Sequence, residues 1–402
     1  MIKIVDKQSC CGCAACVQCC PKHCISLQED REGFLYPFVE KDDCINCHLC
    51  EKVCPFLNVA KDKKPVVTLA AYNKNGQERQ ISSSGGVFIL LAKNTLNKGG
   101  VVFGAVFDEN WKVKHTYAET LEEVYPMLQS KYVQSDVGAT YQEVEHFLKS
   151  GRYVLYCGTP CQISGLNRFL KKKYARLTLV DFLCHGVPSP GVWRKYVTKE
   201  LPKAARSAVV GKNTVLSLSL NSVPTLGGIE FRDKTQRGWK KYSFVVRQES
   251  AVQADKNSVL LSYNHNMNPY MKGFLSDIYL RPSCYQCKCK NGRSGNDLTL
   301  GDFWCVERLD DKIDDDKGLS LLLVNNADFT LPEGLYTKEF QYDEVKVLNG
   351  GFKEEHNCNM VIRSLFFTFY SYFNLSRSLK YSFLVGNVVH KILKVWRKVF
   401  IL

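Results

Sequence analysis

Apolar positions between residues 70 and 190 fall in short blocks whose period alternates between that of a helix and that of a strand. Ser82-Ser83-Ser84-Gly85-Gly86 precedes an apolar helix from Val87 to about Lys98, which Gly99-Gly100 can end with a left-handed cap. The run Val101–Phe107 reads as a strand. Thr120-Leu121-Glu122-Glu123 has the spacing of a capping box, and residues 141–149 predict a further helix stopping at Gly151. Residues 152–156 then form a buried-type strand that runs into Gly158-Thr159-Pro160-Cys161, a helix beginning near Gln162, and a strand over 177–183 that ends at Cys184-His185-Gly186. Such alternation predicts a mixed α/β domain with its site at strand ends. Residues 215–248 are strand-rich, with 229–233 and 242–246 as members of a meander.

The first 55 residues follow a different rule, set by cysteine. Cys10-x2-Cys13-x2-Cys16-x3-Cys20-Pro21 recurs as Cys44-x2-Cys47-x2-Cys50-x3-Cys54-Pro55, the spacing of a two-cluster bacterial ferredoxin. In that arrangement each run wraps three thiolates around one [4Fe-4S] cubane while its fourth cysteine reaches the other. Cluster one would take Cys10, Cys13, Cys16 and Cys54, and cluster two Cys44, Cys47, Cys50 and Cys20. Structural zinc also uses Cys-x2-Cys, but normally as two pairs with a longer spacer. Cys11, Cys19 and Cys24 lie outside the pattern and read as packing residues. The predicted class is therefore α+β or mixed α/β. A dicluster module over residues 1–60 and a charged linker over 61–68 lead into α/β parts over 69–150 and 151–350, and a basic amphipathic tail spans 360–402.

Composition narrows the setting. Nineteen cysteines suit a reducing, anaerobic cytoplasm, and Met1-Ile2-Lys3-Ile4-Val5-Asp6 lacks the apolar core of a signal peptide. No run reaches the length of a spanning helix. The formal charge of +14 is not spread as a nucleic-acid surface would need, because residues 360–402 hold seven Lys or Arg and no Asp or Glu. Within that tail Val385, Val388, Val389, Ile392, Leu393, Trp396, Val399 and Phe400 recur at helical spacing beside Lys391, Lys394, Arg397 and Lys398. This pattern fits either a terminal helix packed on the α/β domain or a peripheral contact with an anionic membrane or acidic partner.

Six segments after residue 70 resemble the coenzyme F420 hydrogenase/dehydrogenase beta-subunit family. They are Ser82-Ser83-Ser84-Gly85-Gly86-Val87, Ser130-Lys131-Tyr132-Val133-Gln134-Ser135, Cys157-Gly158-Thr159-Pro160-Cys161-Gln162, Cys184-His185-Gly186-Val187-Pro188-Ser189-Pro190, Arg281-Pro282-Ser283-Cys284-Tyr285-Gln286-Cys287 and Leu300-Gly301-Asp302-Phe303-Trp304. The resemblance implies an FAD-binding protein with a [4Fe-4S] cluster beside the flavin, passing electrons between that cluster and an organic molecule, with the flavin bound by the part over 69–150 and the further cluster and substrate side in the part over 151–350. It carries cofactor contacts onto Ser83, Ser84, Gly85, Gly86, Lys131, Tyr132, Gln134, Gly158 and Thr159. The residues themselves agree: a serine–glycine loop opening a helix offers backbone N–H groups and a dipole to phosphate, Gly85 and Gly86 leave room for its approach, and Lys131 supplies charge. An ordinary capped helix would look much the same. No Gly-x-Gly-x-x-Gly follows a strand, and no Walker-type loop occurs.

Four dispersed cysteines extend the reading. Cys161 and Cys184 lie beyond predicted strands, Cys284-x2-Cys287 forms a hook, and these positions match those the resemblance implies for a third, flavin-proximal cluster. Cys289 rivals Cys287, and Cys157 rivals Cys161; buried free thiols or a zinc hook are the alternatives. Cys305 and Cys358 read as packing residues. His185 follows a proposed ligand and is of the residue type that moves protons to or from a flavin or substrate, but orienting a loop is an equal role, and His48 lies inside the second motif. Neither is assigned catalysis. The expected function is an iron–sulfur flavoprotein oxidoreductase linking a ferredoxin-like partner or subunit to a small organic substrate or a deazaflavin. The alternative is an electron-transfer subunit with no substrate of its own. Absence of Cys-x3-Cys-x2-Cys argues against radical SAM chemistry.

Overall fold

The computed structural model describes residues 1–211, 226–248, 259–356 and 358–400. Two short strands, β1 (Ile25–Glu29) and β2 (Leu35–Val39), form an antiparallel hairpin between the two cysteine runs. Five strands then enter the main sheet: β3 (Val67–Asn73), β4 (Val101–Phe107), β5 (Val113–Ala118), β6 (Val154–Cys157) and β7 (Leu177–Phe182). A separate antiparallel sheet holds β8 (Leu226–Asp233), β9 (Ser243–Gln248) and β10 (Val259–Asn264). This is the expected meander, although its predicted beginning at Val215 lies outside the described residues. The chain returns to the main sheet with β11 (Leu298–Asp302), β12 (Ser320–Val324) and β13 (Leu335–Glu339).

The eight strands run in the order β13-β3-β12-β11-β7-β6-β4-β5. The centre, β11-β7-β6-β4, is parallel, and the flanking pairings are antiparallel, so the architecture is a mixed α/β sheet preceded by a ferredoxin-type module. Strand alternation explains how two layers cover it. Val102, Leu155 and Val180 pack on one face with Val87, Ile89 and Leu91 of the helix Val87–Asn97. Val101, Phe103, Val154, Tyr156 and Leu179 pack on the other with Tyr141, Val144, Ile163 and Leu166. Those residues belong to the helices Thr140–Lys149 and Pro160–Leu170, and the same core takes in Cys11, Cys13, Cys16 and Cys54, so the cysteine module rests directly on this face.

Local signals act as the sequence suggests. Thr120 and Glu123 close a capping box, and Thr159 with Gln162 closes a second that starts its helix at Pro160, two residues earlier than expected. The charged stretch 61–68 is not a free tether: the Lys63 amide donates to Asn291 O at 3.2 Å, and β3 already begins at Val67. At the C-terminus, the helices Met360–Tyr372 and Leu375–Phe400 form a hairpin in which Phe366, Tyr370, Leu375 and Leu379 join the core around Trp193, Phe231 and Tyr270. The start of the basic tail is thus core structure, while the side chains from residue 389 lie outside the described set. Among the described residues no helix is long and apolar enough to cross a membrane.

Candidate functional site

The two cysteine runs build matching local structures. Ala14 and His48 adopt left-handed conformations, φ 57° and 59°, and each starts a one-turn helix, Ala15–Gln18 and Leu49–Lys52, bearing the third cysteine of its run. Gly12 (φ 72°) and Asn46 (φ 51°) take the equivalent turn between the first two cysteines. The environments differ. Cys13 and Cys16 are buried in the core shared with the α/β domain, whereas Cys47 is exposed. Burial raises the Cys16 thiol above its ordinary range, and nearby Cys13, Cys10 and Cys54 raise it further. Such crowding of buried thiols is what a cationic iron–sulfur core would relieve.

A third group forms where β6, β7 and the loop after residue 280 meet. Cys161, Cys184, Cys284 and Cys287 lie close enough to feel one another's charge, and burial raises the Cys184, Cys284 and Cys287 thiols first. The Cys161 thiol is instead lowered to about 7, mainly by its hydrogen bond with Cys11 and against the effect of burial. Among the described residues, Cys157 feels the charges of Asp181 and Lys131 rather than those of these cysteines, so it stands apart from this group. Cys289 is fully buried and senses Cys161, Cys287, Cys13 and Cys54, which places it between the third group and cluster one.

Cys11 sits on the same path: its thiol lies close enough to Cys13 and Cys161 for both to raise its pKa. Gly165 completes the contact, because a Cβ there would lie 3.0 Å from Cys13 Sγ, so the helix carrying Cys161 approaches the module as closely as its backbone allows.

Beside this group a cavity of about 490 Å³ opens at the carboxyl ends of the parallel strands. That is where an open α/β sheet binds ligands. Ser83, Ser84, Gly86, Lys131, Tyr132, Gly158 and Thr159 all line it. Ser83 Oγ accepts from the Ser130 amide at 2.7 Å, joining two of the segments. Gly86 (φ 80°) opens the helix Val87–Asn97 towards the cavity. Lys131 is half-buried, and its Nζ donates to Leu128 O at 3.0 Å; desolvation lowers its pKa to about 7. Tyr132 stacks on Phe274 with centroids 4.7 Å apart.

Two expected cavity contacts are placed elsewhere. Gly85 turns away: its amide donates to Ser320 Oγ at 3.0 Å, and a Cβ would stand 2.4 Å from Ala71 O. Its lack of a side chain serves packing on β3 rather than approach of a phosphate. Gln134 faces the cysteine module, where Nε2 donates to Cys11 O at 3.0 Å and Oε1 accepts from Arg281 at 3.0 Å.

Apart from His185, the polar groups that follow were given no role by the sequence. Arg281, fully buried, donates from Nε to Cys10 O at 2.7 Å and from Nη2 to Leu35 O at 2.9 Å and Cys10 Sγ at 3.5 Å. His115 is buried against Tyr156 and bonds Ser135 at 2.9 Å; burial lowers its pKa to about 4. His185 Nε2 and His356 Nδ1 contact the two oxygens of Asp277 at 2.7 and 3.2 Å. Burial raises the Asp277 carboxyl, but the hydrogen bonds from both imidazoles outweigh it and hold the group well below the carboxylate range. This clamp orients His185 at the cavity wall. Arg232 and Asp302 form a buried ion pair on that wall as well.

Thiols in sets of four running from the surface to a large cavity define an iron–sulfur electron-transfer protein. Residues 9–58 match the 4Fe-4S dicluster domain, and residues 151–330 match the model for the carboxy-terminal part of the beta subunit of coenzyme F420 hydrogenase/dehydrogenase. The chain therefore joins a dicluster domain to a region of the F420 hydrogenase/dehydrogenase beta-subunit family. Among solved structures it is similar to a chain of the F420-reducing [NiFe] hydrogenase complex from Methanosarcina barkeri, studied by xenon derivatization. That match has 14% identity over 80% of this chain and 91% of the other, with a TM-score of 0.41. No curated protein matches the sequence.

Proposed function

We propose that this protein is an FAD-dependent iron–sulfur oxidoreductase that exchanges electrons between a redox partner and a small organic substrate or a deazaflavin. The observation that carries the reading is the continuity of thiols: exposed Cys47, the buried set with Cys10, then Cys11 and Cys289, then the group around Cys184 at the cavity. Cys10, Cys13, Cys16 and Cys54 would hold cluster one, and Cys44, Cys47, Cys50 and Cys20 cluster two. Cys161, Cys184, Cys284 and Cys287 would hold a third. Ser83, Ser84, Gly86, Lys131, Tyr132, Gly158 and Thr159 would hold FAD. Bound flavin supplies conversion between single electrons and a hydride equivalent, which clusters alone lack.

The chain's own residues divide the remaining work. The serine loop and helix N-terminus receive phosphate oxygens, Lys131 offers a cation to them, and the apolar wall with Tyr132 and Phe274 excludes water. The Asp277 clamp fixes the His185 ring at the cavity. The exposed face around Cys47 is where a ferredoxin-like protein or partner subunit docks, and the family match with hydrogenase and dehydrogenase subunits supports such a partner. Residues 1–60 would serve that contact, and residues 69–350 the flavin and substrate.

Anaerobic purification followed by iron, sulfide and flavin analysis tests this reading. Three cubanes require about twelve irons per chain. The double substitution Cys161→Ala/Cys184→Ala should lower the count by about a third and leave the low-temperature EPR of the dicluster module intact. An unchanged count would remove the third cluster, and replete protein that neither contains nor takes up FAD would remove the flavin.

A further inference from the structure

Arg232 carries an unfilled requirement. Its side chain is 3% exposed, and its charge is anchored at one end only, by the ion pair from Nη1 to Asp302. Among the described residues, Nε and Nη2 have no hydrogen-bond partner, and neither does Asp302 Oδ1. The Tyr132 hydroxyl lies near the guanidinium without meeting hydrogen-bond geometry. Buried donors on a permanent cation are costly to leave unmatched, so two free donors and one free acceptor side by side indicate a ligand that completes them.

The surroundings specify that ligand. Arg232 lies over the rings of Tyr242 and Trp304, at 4.6 and 5.3 Å from their centroids, and Trp304 stacks on Trp239 at 4.5 Å. These rings, with Asp302, belong to the cavity wall or stack directly on it. Lys234, one residue beyond the end of β8, donates to Arg79 O, Ser84 O and Lys317 O, which pins that end of the strand to the serine loop. A fixed Nε–Nη2 edge is a fork for two coplanar oxygens. Asp302 disfavours a dianion at that fork by like-charge repulsion, while its free oxygen requires a donor.

We propose that Arg232 and Asp302 form the recognition site for a small organic acid, with its carboxylate on the Arg232 fork and an adjacent hydroxyl or amino group donating to Asp302. The inference rests on the cavity being the redox site of the proposed function, and it names the class of substrate admitted there. An oxyanion at this fork could also come from the cofactor's pyrophosphate, and the experiment separates the two sources.

Isothermal titration calorimetry on the full chain, with and without added FAD, would use four probes: mandelate, phenylacetate, mandelamide and inorganic phosphate. Mandelate should bind best, phenylacetate more weakly for want of the hydroxyl, and mandelamide least. Arg232→Gln should weaken mandelate by about tenfold or more. Arg232→Lys should fall between, since it keeps the charge without the fork. Asp302→Asn, which preserves shape, should erase the preference for mandelate over phenylacetate and thus gives a second test if the arginine variant folds poorly. FAD content, measured separately, should be unchanged in all three variants.

Mandelate binding that is absent in the native chain, or indifferent to these substitutions, would overturn the proposal. So would loss of FAD in Arg232→Gln together with arginine-dependent phosphate binding, which would assign the fork to the cofactor. A native chain that binds mandelate but no FAD would keep this site and overturn the flavin reading instead.

Discussion

Arg281 and Arg232 are both buried guanidinium groups, 0% and 4% exposed, yet their donors are used in opposite ways. Arg281 gives every direction to the protein: Cys10 O, Gln134 Oε1, Leu35 O and Cys10 Sγ, with the Tyr36 ring 4.3 Å away. Arg232 gives one direction to Asp302, and its Nε and Nη2 have no partner among the described residues. The first pattern fastens the cysteine module to the α/β domain. The second leaves donors for a ligand to complete. A buried charge alone therefore says little; the accounting of its hydrogen bonds separates structure from recognition.

The sharpest way to break this comparison is to remove each charge. Arg281→Gln should destabilise the chain by about 3 kcal/mol or more, because it strands several buried acceptors at once. Arg232→Gln should cost less, since Asp302 can still accept from the glutamine. Chemical denaturation of the two variants in parallel checks the order, and equal losses would defeat the distinction. Arg281 also makes a specific redox prediction. A cation donating to Cys10 Sγ favours the more negative, reduced state of a cluster held there, so the substitution should lower the potential of cluster one and leave cluster two unmoved. EPR-monitored redox titration reads both, and Arg281→Lys should retain part of the shift.

The same contrast shows what could be read from sequence. The local build of the cysteine runs was legible, because Cys10 to Cys20 and Cys44 to Cys54 each determine a turn and a one-turn helix within eleven residues. Strands such as Val101–Phe107 were legible because both their faces are buried. Arg232 was not: its partner Asp302 is 70 residues away, and an Arg-Asp pair ending a strand has the look of a solvated edge. Gln134 was misplaced for a related reason. The segment 130–135 runs between the cavity and the cysteine module, so Lys131 and Tyr132 face one and Gln134 the other, a split that segment-level likeness does not resolve. The purpose of Gly85 depends on where the Ala71 carbonyl lies, which local sequence does not specify.

Lys131 lies between the two arginines in character, since a desolvated lysine can shed its charge. With its pKa lowered to about 7 by desolvation, it is largely neutral in the ligand-free protein above that pH. Contact with a phosphate anion favours the charged form, so flavin binding should take up a proton there. The sign follows: affinity for FAD should fall as pH rises from 7 to 9, by up to about tenfold per unit. Fluorescence titration of flavin-free protein across this range tests it. Lys131→Met should flatten the profile and weaken binding most at the acidic end, whereas Arg232, charged throughout, should contribute no such slope.

A weaker effect is expected from the basic stretch that follows the C-terminal hairpin. The hairpin of Met360–Tyr372 and Leu375–Phe400 closes at Gly386, whose Cβ would stand 2.3 Å from Ile362, so the packed part of the last helix extends at least that far. Leu384 and Val388 are nonetheless 62% and 52% exposed, Tyr372 is 81% exposed, and the sequence beyond adds Lys391, Lys394, Arg397 and Lys398. Exposed apolar groups beside clustered cations suit a weak contact with an anionic surface. Removing residues 389–402 should leave iron and FAD content unchanged while reducing sedimentation with phosphatidylserine-containing vesicles at low salt. Raising the salt should have the same effect on the full chain, because screening acts on exposed charges and spares buried ones such as Arg281. If the shortened chain instead loses FAD or melts early, the tail belongs with Arg281 among the groups that hold the fold together.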